Sequence, residues 1–291
     1  MLWSILKAVR PHQWVKNLFV AAPVVFAKRL GDPSSALRAA AAFGAFCLLT
    51  SAVYLVNDLV DLEKDRAHPV KRHRPIASGK LKPELARALA GLFAVAAVGS
   101  GLALGWPFAI TAFSYLALNA AYSLRLKRIA FVDVACISVG FLLRVLAGAL
   151  AVGVPASRWL LVCTLLLSSL LGFGKRAHEL RIGGEGGHKH REVLGDYDPR
   201  VLRLLLGVLG VITPVAYLMY TRTSTAMELG NGRLVFTVPF AVFGIYRFIR
   251  IVSRTDTADS PTDLMLHDPW SVVNLIAYAA AVVAIVYFYP P

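Results

Sequence analysis

Long apolar segments recur along the whole chain, separated by short segments that carry most of its 31 Lys and Arg. This alternation limits the fold more than any other feature. Stretches long enough, or nearly so, to cross about 30 Å of hydrocarbon run over residues 14–30, 36–57, 84–105, 107–124, 129–152, 157–174, 201–221, 233–252 and 270–289. The pattern predicts an all-α integral membrane protein with nine transmembrane helices. The first span is the weakest, because Lys16 sits in it and Pro23 interrupts it. Membrane helices tolerate such a proline where neighbours satisfy the freed carbonyl.

Composition agrees: with 57% hydrophobic and 16% charged residues, a soluble globule lacks the polar groups to cover its surface. No linker separates two compositionally different halves, so residues 1–291 read as one polytopic domain. The net charge of +14 does not signal nucleic acid, since the basic residues lie between apolar runs and not along one soluble face. Anionic lipid and phosphate-bearing substrates fit that layout better. Cys47, Cys136 and Cys163 fall inside apolar stretches without CxxC spacing and read as small core residues. Lys7, Arg10 and Lys16 surround a Trp- and Pro-containing N-terminal segment without a signal cleavage site, which is expected to stay attached.

The basic residues concentrate on one side of the predicted membrane. The positive-inside rule then predicts a multi-pass protein of a cell membrane with its N-terminus and its two longest polar loops, 58–83 and 175–200, in the cytoplasm. Residues 222–232 and Pro290–Pro291 fall outside, with Tyr287, Phe288 and Tyr289 as an interfacial anchor. The run Gly183 to His190 has the composition of a solvated loop tip, a poor cage for a metal despite His188 and His190.

The chemistry concentrates at Asn57-Asp58-Leu-Val-Asp61-Leu-Glu-Lys-Asp65, directly after an apolar run. If the helix continues, Asn57, Asp61 and Asp65 share one face with Asp58 beside them. Clustered carboxylates at a helix C-terminus need compensation, and hard oxygen ligands of this kind suit Mg²⁺ shared with a substrate diphosphate. The alternative is a solvated helix end offset by Lys64, Arg66, Lys71, Arg72 and Arg74. The same basic run would grip phosphate oxygens that a metal leaves free.

These residues resemble a known family. Asn57-Asp58-x-x-Asp61-x-x-x-Asp65, followed by Lys71-Arg72-x-Arg74-Pro-Ile-Ala-Ser-Gly, is similar to the UbiA superfamily of intramembrane prenyltransferases, and the likeness covers nearly the whole chain. More narrowly, R-P-H-Q-W-V-K-N at 10–17, S-A-V-Y-L-V-N-D at 51–58 and G-K-R-x-x-E-L at 174–180 look like its polyprenyl-phosphate (decaprenyl-phosphate) phosphoribosyltransferase branch. The resemblance implies a UbiA-type helical fold around a lipid-open cavity. It also implies transfer of 5-phosphoribose from phosphoribosyl diphosphate to a polyprenyl phosphate, with Mg²⁺ as cofactor.

On that resemblance Asn57, Asp58, Asp61 and Asp65 hold the metal and diphosphate, with Arg66, Lys71 and Arg74 on donor phosphates. Lys16, Tyr122 and Lys127 meet the acceptor phosphate or the donor. Where prenyl-diphosphate enzymes usually carry a second acidic motif, this chain has Lys175, Arg176 and Glu179. The two cations can neutralise phosphate and Glu179 can accept from ribose hydroxyls; alternatively Lys175 and Arg176 are a positive-inside flank. Asp58, Asp61, Asp65 and Lys175 are the catalytic candidates. Asp196 and Asp198 stand as alternative metal ligands.

Arg144 falls mid-span, where a charge faces a wet cavity or a partner. Pairing with Asp133 and contact with substrate are equal expectations. Two rival functions stay in view: a UbiA-type prenyltransferase with an aromatic acceptor, and a transporter or flippase. The second lacks paired discontinuous helices and does not explain why acids and bases gather on one side. Polyprenol length is not readable from the pattern, and a homo-oligomer is compatible with it.

Overall fold

A computed structural model describes residues 1–183, 192–230, 232–257 and 260–288. Its elements are helical: α1 (Leu2–Val9), α2 (Leu18–Phe26), α3 (Pro33–Val60), α4 (Leu62–Ala67), α5 (Pro83–Gly99), α6 (Gly101–Leu104), α7 (Trp106–Leu124), α8 (Val132–Val152), α9 (Arg158–Gly183), α10 (Pro199–Thr221), α11 (Ser224–Gly230), α12 (Val238–Arg254), α13 (Pro261–His267) and α14 (Pro269–Val283). Proline at the first helical turn and a capping side chain before it set several starts. Asp32 accepts from the backbone N–H groups of Ser34 and Ser35 at the head of α3, and Asp268 accepts from that of Ser271 at the head of α14. Hydrogen bonds from Ser35 and Ser34 pull the Asp32 carboxyl down to about 2.

Among the described residues seven helical stretches are long and apolar enough to cross a membrane: Pro33–Val60, Pro83–Leu104, Val132–Val152, Arg158–Gly183, Pro199–Thr221, Arg233–Arg254 and Pro269–Phe288. The remaining two of the nine expected spans differ for physical reasons. Over 14–30 the chain forms a 3-10 stretch, Pro11–Asn17, and then α2, whose nine residues reach only about 14 Å. Helix α7 is 19 residues long but carries Thr111, Tyr115, Asn119 and Tyr122 among its apolar positions. The run Gly184 to His190 and residues Tyr289, Pro290 and Pro291 lie outside the described residues.

The chain groups into two compact units, one of Met1–Arg125 with Leu143–Ala156, the other of Leu126–Leu142 with Ser157–Pro291. In the first, Phe46, Leu49, Phe108, Tyr115, Ala147 and Ala151 form the main core, with Phe46 edge-on to Phe108 and Tyr115. Small residues let helices approach closely, as membrane packing favours: a Cβ on Gly148 would lie 1.9 Å from the Val20 carbonyl oxygen. A second cluster, including Leu55, Ile76, Leu81 and Ala86, packs the loop after α4 against α3 and α5. In the other unit Leu170, Leu206, Ile245, Phe248 and Val252 join α9, α10 and α12. Cys47 and Cys136 are buried and Cys163 is half-buried, all as free thiols.

Candidate active site

Helix α3 ends at Val60, and Asp61 caps it with φ −91° and ψ 11° before α4 resumes one residue later. The break is slight, because the Asp61 N–H still bonds the Asn57 carbonyl and the Asp65 N–H that of Asp61, at 2.9 and 2.8 Å. The acids therefore keep winding in a near-helical register. The pair brought together is not the expected one, however. Asp58 and Asp65, each 3% exposed, share a guanidinium: Arg74 Nη1 donates to Asp58 Oδ1 at 3.1 Å and to Asp65 Oδ2 at 2.7 Å. Asp61 is half-buried. Asn57 Oδ1 accepts from the Ser123 hydroxyl.

A second guanidinium meets the same carboxylate. Arg10 Nη2 donates to Asp58 Oδ1 at 2.6 Å, 48 positions away in sequence, and its guanidinium carbon lies 4.8 Å from the centre of the Tyr54 ring. Arg10 has φ 54°, a left-handed conformation that costs a non-glycine residue about 1–3 kcal/mol and persists where surroundings enforce it. Asp58 Oδ2 is buried with no hydrogen-bond partner among the described residues. An orphaned carboxylate oxygen in that position is costly.

The residues around this pair are also ordered. Gln13, 8% exposed, accepts from Lys16 Nζ and from the Tyr54 hydroxyl at 3.4 Å. Trp14 Nε1 donates to Ser51 Oγ at 3.2 Å. Arg66 pairs with exposed Glu63 at 2.8 Å, and Lys71 is exposed on the 3-10 turn Lys71–His73. Tyr122 and Lys127 are half-buried. No set of three or more His, Cys, Asp or Glu side chains forms a ready cage for a metal among the described residues. Mg²⁺ bound to a diphosphate needs only one or two protein carboxylates, the substrate and water supplying the rest. Asp58, with its orphaned oxygen, and Asp65 fit that requirement.

Arg144 meets neutral partners within its own unit. Its Nε donates to Asn17 Oδ1 at 2.9 Å and its Nη2 to the Tyr115 hydroxyl at 2.8 Å, while Asn17 in turn donates to Thr50 Oγ1 at 3.2 Å. The expected Arg144–Asp133 pair does not form, because eleven residues along the single helix α8 separate the two by about 16 Å. In the second unit Arg176 Nε donates to Asp133 Oδ2 at 2.5 Å, with both side chains 0% exposed. Arg176 Nη1 also reaches Glu179 Oε2 at 2.5 Å. The Tyr197 hydroxyl donates to Asp133 Oδ1 at 2.5 Å and accepts from the Phe131 N–H at 2.8 Å. Burial and the Asp133 hydrogen bond push the Tyr197 phenol up.

The structure places Arg176, expected at a phosphate, with its guanidinium buried within the protein and engaging two carboxylates. Lys175, next to it, is 40% exposed and stands 4.0 Å from Glu179, itself 27% exposed. Asp198 caps α10 by accepting from the Arg200 N–H at 2.6 Å, a structural task that explains its presence without a metal. Asp196 is exposed. The residue sequence reasoning missed was Arg10, although it opens the R-P-H-Q-W-V-K-N motif; Ser123, beside Tyr122, and Tyr197 were missed too.

Fold and site together define an intramembrane helical enzyme with arginine-neutralised carboxylates at a helix end. Residues 17–267 match the model of the UbiA prenyltransferase family, and the chain belongs to that family. The chain is 34% identical to decaprenyl-phosphate phosphoribosyltransferase of Mycolicibacterium smegmatis, over 98% of this chain and 93% of that protein. It is 33% identical to decaprenyl-phosphate phosphoribosyltransferase of Corynebacterium glutamicum, over 99% of this chain and 88% of that protein. Among solved structures it resembles a UbiA homolog from Archaeoglobus fulgidus bound to GPP and Mg²⁺, with TM-score 0.72 and 19% identity, covering 97% of this chain and 100% of that one.

Proposed function

We propose that this chain transfers the 5-phosphoribosyl group of phosphoribosyl diphosphate to a polyprenyl phosphate such as decaprenyl phosphate, releasing diphosphate. The observation that carries the reading is the similarity to decaprenyl-phosphate phosphoribosyltransferases over nearly the full length of both partners. The buried Asp58–Arg74–Asp65 arrangement supports it, since it matches what a diphosphate leaving group requires.

In this reaction an acceptor phosphate oxygen forms a bond to the anomeric carbon as the bond from that carbon to the diphosphate oxygen breaks, its electron pair leaving with the diphosphate. The acceptor is already ionised, so no general base is needed. Asp58 and Asp65, with Asn57 and Asp61 beside them, would hold Mg²⁺, which when bound offsets charge on the departing diphosphate. Arg74 supplies a cation fixed at the same carboxylates, with Lys71 and Arg66 as more exposed donors to phosphate. Lys16, oriented by Gln13, is assigned with Tyr122 and Lys127 to the acceptor phosphate or the donor. Lys175 is assigned to a donor phosphate, and Glu179 to ribose hydroxyls through whatever capacity Arg176 leaves it. The polyprenyl tail would stay among apolar helices, within hydrocarbon. We place the protein in the cytoplasmic membrane with loops 58–83 and 175–200 on the cytoplasmic side, on the distribution of Lys and Arg.

The likeness to a UbiA homolog bound to GPP and Mg²⁺ favours, as the second reading, transfer of a prenyl chain from its diphosphate to an aromatic acceptor. Purified protein given labelled phosphoribosyl diphosphate and decaprenyl phosphate should yield a lipid-extractable labelled product. Label that stays in the aqueous phase, with turnover of a prenyl diphosphate instead, would overturn the proposal.

A further inference from the structure

Two guanidinium groups converge on one oxygen of Asp58, and they are held unequally. Arg74 Nη1 bridges two carboxylates, Asp58 at 3.1 Å and Asp65 at 2.7 Å. Arg10 reaches one, Asp58, at 2.6 Å, and its guanidinium otherwise rests on the Tyr54 ring. Its side chain stays 23% exposed, whereas that of Asp58 is 3% exposed. A divalent cation drawn to the orphaned Asp58 Oδ2 would add two positive charges beside two guanidinium groups, on a carboxylate that carries a single negative charge. Repulsion favours release of the less firmly held group. Diphosphate oxygens on the cation offer that group a planar, bidentate alternative.

The backbone at Arg10 suits such a transfer. Arg10 is the left-handed residue joining α1 to the 3-10 stretch Pro11–Asn17, and residues held in that conformation cluster where strain serves a function. Leu2 and Trp3 on α1 are exposed, whereas Ala8 and Val9 are buried next to Arg10, so the anchor of the side chain is fixed while its guanidinium is accessible.

We propose that Arg10 is a diphosphate-binding residue that exchanges partners: it gives up Asp58 to the divalent cation and takes up an oxygen of the metal-bound diphosphate. Arg10 therefore opposes binding of the cation alone and favours binding of the cation–diphosphate pair. This rests on the diphosphate chemistry proposed above but not on what else the donor carries.

The test uses the full chain in nanodiscs, Mn²⁺ as the metal probe read by electron paramagnetic resonance, and labelled inorganic diphosphate at saturating Mn²⁺. Arg10→Ala should bind Mn²⁺ alone about tenfold more tightly and diphosphate about tenfold more weakly, the loss of a charge-assisted contact in each case. Arg10→Lys, which keeps the charge without the fork, should fall between wild type and Arg10→Ala on both measures, and it decides the matter if Arg10→Ala does not fold. Weakened binding of both probes, as a merely structural residue would give, or unchanged binding of both, overturns the exchange. Neither probe contains ribose or lipid, so such a failure is separate from failure of the phosphoribosyl assignment, which the labelled-donor assay reads.

Discussion

Asp58 and Asp65, two helical turns apart, share one arginine nitrogen: Arg74 Nη1 lies 3.1 Å from the first carboxylate and 2.7 Å from the second. The linking segment from α4 through Pro75 is held by the buried side chains of Ile76 and Leu81, so the guanidinium is delivered by packing and not by chance encounter. The built-in guanidinium supplies the compensating charge that buried acids at a membrane edge require.

Asp58→Asn and Asp65→Asn should each lower kcat/KM by at least about 10²-fold, since charge stabilisation at the leaving group carries most of the barrier reduction in such reactions. Asp61→Asn, at the residue that caps α3 between them, is expected to lower the rate as well. Steady-state rates with and without a chelator check both points: full turnover in chelator-treated enzyme would rule out the metal role.

Asp133→Asn should destabilise the protein by about 3–5 kcal/mol, because it removes the fully buried carboxylate beside the Arg176 guanidinium and leaves it only the half-buried Glu179 as a charged partner. Asp133→Asn combined with Arg176→Leu should recover most of that loss, as removal of both charges from an apolar site is often neutral or stabilising. Thermal melts of the two variants in detergent give the comparison, and equal stability of single and double variants would refute the coupling.

Much of this architecture is legible in the residues themselves. Apolar periodicity and length locate α3, α7, α8 and α10 to within a few residues, because a bilayer demands those lengths, whereas α9 continues to Gly183, past the expected end at 174. The spacing of Asn57, Asp58, Asp61 and Asp65 marks the candidate site. What escapes local reading is pairing over distance. The helical spacing over 129–152 separates Asp133 from Arg144, but nothing in it says that Asp133 meets Arg176, since that choice depends on which helices pack side by side. Arg10 opens the 10–17 motif, but its spacing from Asp58 gives no sign that the turn after α1 brings the two together. The broken 14–30 segment shows the same limit: Pro23 signals interruption, but the 3-10 stretch before it follows from the polar tethers of Gln13, Trp14 and Asn17.

Orientation follows from charge, and exposed positions on the two polar sides make it measurable. Ser78 and Ser224 are both exposed, and a cysteine at Ser78 should be protected from a membrane-impermeant thiol reagent in intact cells while one at Ser224 is labelled. The native thiols at Cys47 and Cys136 are buried and should give little background. Labelling at Ser78 from outside would invert the topology.

Lys175 and Arg176 are adjacent cations with opposite expected phenotypes, and this contrast tests the reading of the second polar loop most sharply. Arg176 is 0% exposed and engages Asp133 and Glu179, so Arg176→Ala should act on stability, in the same range as Asp133→Asn. Lys175 is 40% exposed, and an exposed lysine contributes little to folding, so Lys175→Ala should leave the melting temperature nearly unchanged. If its ammonium meets a donor phosphate, the same change should raise the donor's KM by about tenfold, the value of one charge-assisted contact. The KM for the polyprenyl phosphate should move much less. Glu179→Gln keeps an acceptor but loses a charge facing both Lys175 and Arg176, so it should shift stability and donor KM modestly together. Melting curves alongside donor titrations at saturating lipid separate these outcomes. A Lys175→Ala enzyme with unaltered donor KM would make Lys175 a topogenic flank and remove this loop from donor recognition.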